Sequence, residues 1–172
     1  MKDYVKYFAG GIIAAILVIF LFNYQNNKLI VPAVGVDGKI EGNYAIEGIM
    51  RLGKPYECTF EKTDGASRIA GIIHTDSKNI YGEFRIKTDQ MKDEFNSFLI
   101  TKDEEAYIWT SLQNIGYKSP IAKSASKNAS PVEQTQIVGM RDEMAYKCEL
   151  WLDADSATFE TPTWITFLEL KK

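Results

Sequence analysis

The sequence predicts an α+β domain built on a curved antiparallel β-sheet with one or two short helices, preceded by a single transmembrane helix. Three observations predict it: an uncharged apolar run near the N-terminus, several short alternating segments joined by polar turns, and two cysteines within such segments. At 172 residues, the chain has room for one domain beyond the run. A net charge of −3 gives no basis for binding nucleic acid, and two cysteines with one histidine are too few for a cysteine-rich zinc module.

The apolar run covers residues 7–22, sixteen positions without a charge. With its polar-aromatic flanks it reaches the roughly 20 residues that a bilayer requires. Lys2 and Lys6 precede the run and only Lys28 follows it closely, so the positive-inside rule places the N-terminus in the cytoplasm. Residues 1–24 are therefore predicted to be a cytoplasmic tip and transmembrane signal anchor of a single-pass cell-membrane protein. The alternative is a cleaved signal peptide, but no small-residue cleavage pattern follows the run.

The exported part begins with a predicted stalk at residues 25–42, where Pro32 and two glycines interrupt regular structure. Residues 43–172 are predicted to be one exported antiparallel β domain. Its first ten residues have apolar side chains at helical spacing and end at Gly53, which predicts a short helix.

Period-two alternation then predicts an antiparallel meander. The predicted strands are residues 56–61, 67–74, 80–87, 94–101, 105–112, 145–151 and 163–170. Residues 113–135 are rich in Ser, Lys, Asn, Ala and Pro, so they are predicted to be a surface insertion.

The two cysteines, Cys58 and Cys148, lie on the apolar faces of two separate predicted strands. In an exported domain, two buried thiols in this arrangement favour a disulfide. It would close a loop of about 90 residues and contribute roughly 4–5 kcal/mol by the chain-entropy model. Two unpaired core cysteines are the alternative.

Apolar side chains fall on both faces of residues 95–100 and 106–109, which favours a curved sheet over a flat one with one wet face. Two interpretations remain open: a core under a helix, or an apolar cleft for a hydrophobic ligand. The candidate lining residues are Phe60, Phe84, Ile86, Phe98 and Trp109. The sequence contains no nucleophile elbow, phosphate loop or metalloprotease helix, and His74 stands alone. We therefore expect no enzyme, no metal and no cofactor.

Several residue patterns resemble a group of small bitopic membrane proteins. The patterns are Gly53-Lys54-x-Tyr56-x-Cys58-Thr59-Phe60, Gly82-Glu83-Phe84, Tyr107-Ile108-Trp109-Thr110 and Tyr146-Lys147-Cys148-x-x-Trp151. These proteins look like distant relatives of lipoprotein carriers of the LolA/LppX type. The resemblance implies a half-barrel with helices in its mouth and an apolar cavity for acyl chains, and no catalytic residues.

The function expected from these observations is binding, outside the cytoplasm, of a lipid or lipoprotein acyl chain, or of another envelope protein. The alternative is a structural or protein-interaction module of the cell envelope without a ligand cavity.

Overall fold

The computed structural model describes residues 29–65, 67–88, 93–121 and 143–170, which contain nine strands of one sheet. The strands are β1 (Ile40–Tyr44), β2 (Tyr56–Asp64), β3 (Ser67–Thr75), β4 (Ile80–Lys87), β5 (Phe95–Lys102), β6 (Glu105–Thr110), β7 (Ile115–Pro120), β8 (Met144–Leu150) and β9 (Thr166–Glu169). The helical elements are α1 (Ile46–Met50) and a 3-10 helix (Ser156–Phe159).

The strand order is β1-β8-β2-β3-β4-β5-β6-β7-β9. Strands β2 to β7 are consecutive in the chain, and each pairs antiparallel with the next, because the segments of sequence that join them are short and polar. Strand β8 enters between β1 and β2, and β9 closes the sheet in parallel with β7. Residues 151–165, here called the C-terminal strap, connect β8 near one edge of the sheet to β9 at the other edge.

The α+β prediction was wrong, because the described residues form a mostly β domain. The helix predicted from apolar spacing is only five residues long, since the residues before it pair with β8 as strand β1. Five residues make little more than one helical turn, which is too short to form a layer. No helix of the described residues is long and apolar enough to cross a membrane. The structure therefore does not support a fold class that begins with a transmembrane helix, and the predicted span at residues 7–22 lies outside the described residues.

Two strands occupy segments that the sequence assigns to irregular structure. Strand β1 begins inside the predicted stalk, and β7 lies inside the predicted surface insertion. Both are edge or near-edge strands with little apolar alternation, so their pairing depends on the neighbouring strand more than on their own side chains.

The main core lies on one face of the sheet, here called the inner face. Its buried residues come from β1, α1, β2 to β6 and β8: Ile40, Ile46, Ile49, Tyr56, Cys58, Phe60, Ile69, Ile73, Ile80, Phe84, Ile86, Phe95, Leu99, Ala106, Tyr146 and Cys148. The only regular element of the described residues that joins this cluster from outside the sheet is α1. Since this helix has only five residues, most of the burial on the inner face that the structure describes comes from side chains of the strands themselves.

The outer face carries a second, smaller cluster, of Ile100, Trp109 and Ile165. Ile165 belongs to the C-terminal strap, and the strap's 3-10 helix lies against β4 and β5. The strap therefore crosses the outer face on its way from β8 to β9, and it covers apolar side chains that the inner core cannot reach.

Candidate functional site

The structure confirms the predicted disulfide. Cys58 of β2 and Cys148 of β8 are directly opposite residues, with Cα atoms 4.0 Å apart, and both are buried on the inner face. Ile40 of β1 lies opposite Cys148 on its other side. A structural disulfide in a small domain is consistent with an oxidising, extracytoplasmic environment.

The predicted lining residues do not lie together on one face. Phe60, Phe84 and Ile86 belong to the inner cluster. Phe98 and Trp109 lie on the outer face, where their rings stack with centroids 5.2 Å apart. Residues directly opposite in a sheet share a face, and Phe98 lies opposite Glu83, the neighbour of Phe84. The five residues therefore cannot line a single cleft.

On the inner face, the rings of Phe60 and Phe84 pack over two glycines, Gly71 and Gly82. A Cβ atom on Gly71 would lie 2.6 Å from Cε1 of Phe60 and 2.9 Å from Cδ1 of Phe84. A Cβ atom on Gly82 would lie 2.5 Å from Cζ of Phe84. The absence of side chains at these two positions lets the rings, whose centroids are 5.9 Å apart, pack onto the strand backbones. At this level the inner face is a packed core.

His74, the lone histidine, holds the beginning of the C-terminal strap. Its Nε2 atom lies 2.8 Å from Oε2 of Glu57. Its ring stacks on Tyr81 with centroids 6.0 Å apart and contacts the tilted ring of Trp151 with centroids 4.7 Å apart. The buried Nδ1 atom has no hydrogen-bond partner among the described residues. Since Trp151 is the first residue of the strap, its contact with His74 fixes the start of the strap against the sheet. The sequence did not predict this contact because His74 and Trp151 are far apart in the chain.

Several large apolar side chains are exposed at the end of the sheet formed by β7 and β9, here called the open end. Its side chains are Ile115 (39 % exposed), Trp164 (63 %), Leu168 (47 %) and Leu170 (42 %). Tyr117 pairs with both Ile108 and Leu168, so Leu168 projects from the inner face. The inner face is thus buried over β1 to β6 and exposed at the open end.

The edge of β9 that faces away from β7 has no partner strand among the described residues. The amide of Thr166 donates to the carbonyl of Asn114, and the amide of Leu170 donates to the carbonyl of Lys118, each at 3.0 Å. Backbone groups of successive residues in a strand point to opposite sides. The amides and carbonyls of Phe167 and Glu169 therefore point away from β7, toward whatever lies beyond the sheet.

One ion pair joins β9 to β7, and a hydrogen bond within β6 holds the tyrosine that packs against β9. Nζ of Lys118 lies 3.0 Å from Oε1 of Glu169, and this hydrogen-bonded ion pair raises the pKa of Lys118. The hydroxyl of Tyr107 donates to Oε2 of Glu105 at 2.5 Å, which raises the pKa of Tyr107 to about 12. The Tyr107 ring also packs edge-on against Phe167, with centroids 5.3 Å apart.

The opposite edge of the sheet, β1, is charged and irregular. Glu41 lies 3.6 Å from Lys147, and the preceding Lys39 lies 3.0 Å from Glu149. Gly42 has φ +146°, a conformation that favours glycine, and a Cβ atom there would lie 3.0 Å from Cε2 of Tyr44. Charges and irregular backbone are the means by which proteins keep sheet edges from pairing with other chains.

The described residues contain no group of three His, Cys, Asp or Glu side chains that could hold a metal ion. Neither protein-family models nor curated proteins nor solved structures match this chain. The resemblance to lipoprotein carriers therefore stays a prediction from the sequence.

Sequence reasoning missed the open end. Part of it lies in residues 113–135, whose polar composition indicated an insertion, and part in residues 163–170, which read as an ordinary closing strand. The signal was Trp164 with Leu168 and Leu170 near the C-terminus, because a last strand with large apolar residues at alternate positions needs something to cover them.

Proposed function

We propose that this protein is an extracytoplasmic binding module whose open end docks onto a protein of the cell envelope. The observation that carries the proposal is the exposed apolar surface of Ile115, Trp164, Leu168 and Leu170, beside a sheet edge that pairs with no other strand of the described residues. Exposed large side chains that cluster at one site are typical of interaction surfaces. Tryptophan in particular is enriched among the residues that dominate binding energy.

The location outside the cytoplasm is supported by the Cys58–Cys148 bond. Attachment to a membrane through residues 7–22 is the finer part of the proposal, and it rests on the uncharged sequence of that segment alone.

A hydrophobic ligand, such as a lipid or a lipoprotein acyl chain, is the second candidate. One observation favours it: Ile108 packs against the inner core, and Tyr117 and Leu168 continue the same face to the open end. Apolar surface thus runs from the core to solvent. The filled interior at Phe60 and Phe84 favours the protein partner, since a carrier requires space for the chain it carries.

Photocrosslinking in intact cells tests the proposal. The full-length protein would carry p-benzoylphenylalanine in place of Trp164, with the same probe at Glu41 on the β1 edge as the matched control. We expect a covalent adduct to protein from position 164 and none from position 41. A lipid adduct alone would select the hydrophobic ligand, and equal labelling from both positions, or no adduct, would refute a specific open end.

The variant Ile86→Trp separates the two candidates further. Ile86 is 2 % exposed in the inner core, so added bulk there should cost about 1–3 kcal/mol of stability by overpacking. In a lipid cavity, the same change would leave stability unchanged and reduce the lipid that co-purifies. Thermal melts combined with lipid extraction from both proteins measure the two effects.

A further inference from the structure

We infer that the partner at the open end is a second copy of this chain, joined by antiparallel pairing of β9 with the β9 strand of the second copy. This inference rests on the proposed role of the open end and names its occupant. The result would be one continuous sheet through two domains, related by a two-fold axis.

The backbone of β9 fits this pairing. The residues whose backbone amides and carbonyls point away from β7 are Phe167 and Glu169, and they lie symmetrically about Leu168. In an antiparallel pair, outward groups of one strand must meet outward groups of the other. Phe167 then lies opposite Glu169 of the second copy, Glu169 lies opposite its Phe167, and Leu168 falls on the two-fold axis. A strand with this symmetry pairs with itself without a shift of register.

The side chains fit the same register. The two Leu168 residues would form a non-hydrogen-bonded pair, the type with the closest side chains, and each is 47 % exposed without a second copy. Leu170 would lie opposite Thr166 of the second copy on the same face. No like charges would face each other, because each Glu169 faces a phenylalanine and keeps its own ion pair with Lys118.

The other free edge does not offer the same fit. Pairing β9 with β1 of a second copy would be head-to-tail, so it would build rings or open fibres and not a closed dimer. The ion pairs of Glu41 and Lys39 and the irregular backbone at Gly42 oppose it. Among the edges that the structure describes, β9 is the better partner for β9.

Cysteine crosslinking of the full-length protein in membranes tests the register. The two native cysteines are bonded to each other, so an introduced cysteine is the only free thiol. In Leu168→Cys, the two Cα atoms should lie about 4.5 Å apart, within reach of a disulfide. We expect a covalent dimer on mild oxidation.

The matched control is Thr166→Cys, on the same strand and face. Its two copies should lie about 13 Å apart along the strands, too far for a disulfide. We expect it to crosslink roughly tenfold more slowly than Leu168→Cys. This ratio corresponds to a difference of about 1.4 kcal/mol in activation free energy. A mixture of Thr166→Cys with Leu170→Cys should crosslink as a heterodimer. Equal rates for Leu168→Cys and Thr166→Cys would indicate random collision and overturn the inference.

A charge pair on the axis provides a measurement without oxidation. Leu168→Lys alone and Leu168→Glu alone should each be monomeric, because like charges would face each other on the axis. The two co-expressed variants should recover a mixed dimer. If all three preparations and the wild type have the same size in detergent, the inference is wrong. An adduct from position 164 to a different protein would then leave the proposed function standing without the dimer.

Discussion

The two ends of the sheet differ in the contacts that hold their edge strands. At the stapled end, made of β1, β8 and β2, a buried disulfide, paired strands and surface ion pairs hold the edge. At the open end, β9 is four residues long, pairs with β7 in parallel and leaves apolar side chains in solvent. Parallel pairing is slightly weaker per residue than antiparallel pairing.

This difference indicates a division of roles within one sheet. The stapled end is stabilised by contacts within the chain, and it exposes charges that keep other strands away. The open end is held by pairing of β9 with β7 and by side chains on the outer face, and no other strand of the described residues occupies its edge. Binding sites are expected at the less stable part of a domain, where side chains remain free for a partner.

The largest expected effect comes from the stapled end. Replacing both cysteines, Cys58→Ala with Cys148→Ala, frees a loop closed over a sequence separation of 90 residues. By the chain-entropy model the free energy of unfolding should fall by about 4–5 kcal/mol. Urea denaturation of the full-length protein measures this loss, and amide exchange should show that β1 and β8 lose protection first.

The control for this prediction is the wild-type protein unfolded and refolded under reducing conditions, which should match the double variant. If the free energy of unfolding fell by less than about 1 kcal/mol, a small part of the loss that the chain-entropy model predicts, the pairing of β2 with β8 would be enough to hold the stapled end. The disulfide would then not explain a difference in stability between the two ends.

A matched pair of glycine variants compares the centre of the sheet with the open end. A Cβ at Gly71 would lie 2.6 Å from the ring of Phe60, and a Cβ at Gly116 would lie 2.6 Å from the ring of Phe167 and 2.9 Å from the carbonyl oxygen of Ile108. Gly71→Ala should lower the stability of the whole domain by about 1–3 kcal/mol, as overpacking of a core does.

Gly116→Ala makes a similar clash, but we expect a local response. Moving β9 relieves the contact with Phe167, and relieving the contact with Ile108 requires a shift between β6 and β7, so amide exchange should increase in β6, β7 and β9 and change little in β2 to β4. Equal loss of protection throughout the sheet in both variants would show that the open end folds as one cooperative unit with the rest.

The part of the fold predicted from sequence is the part with strong local patterns. Strong alternation, as in residues 80–87, predicted strand β4 with its bounds, and the shared apolar faces of Cys58 and Cys148 predicted their bond. Strand β7 was missed because its residues alternate weakly and it forms by pairing with β6. The parallel partner of β7 could not be predicted either, since nothing local in residues 166–169 specifies which strand lies beside them.

The site was harder to predict than the fold, for a related reason. Assigning Phe98 and Trp109 to a cleft with Phe84 requires the register between strands, and a shift of one residue moves a side chain to the other face. Composition shows that both faces are apolar. It does not show that the C-terminal strap covers the outer one.

The smallest expected effect concerns Tyr107, beneath the ring of Phe167. Its hydrogen bond to Glu105 raises its pKa from about 10 to about 12, so the folded state favours the neutral phenol. A pKa raised on folding stabilises the protein fully below the unfolded value near pH 10, and that stabilisation is lost as the pH rises through 12. Tyr107→Phe should therefore be less stable than wild type by about 1 kcal/mol at pH 8, the usual contribution of one hydrogen bond.

The difference between the two proteins should shrink as the pH rises from 10 to 12. The pKa values of Tyr56 and Tyr81 are also raised, by burial, but these residues are present in both proteins and cancel in the difference. Glu105→Gln keeps an acceptor without the charge and should weaken the pH dependence. Because Tyr107 contacts β9 and not the disulfide, amide exchange at pH 11 should increase at β9 before β8. A stability difference that stays constant from pH 8 to 12 would contradict the role of this hydrogen bond in holding the open end.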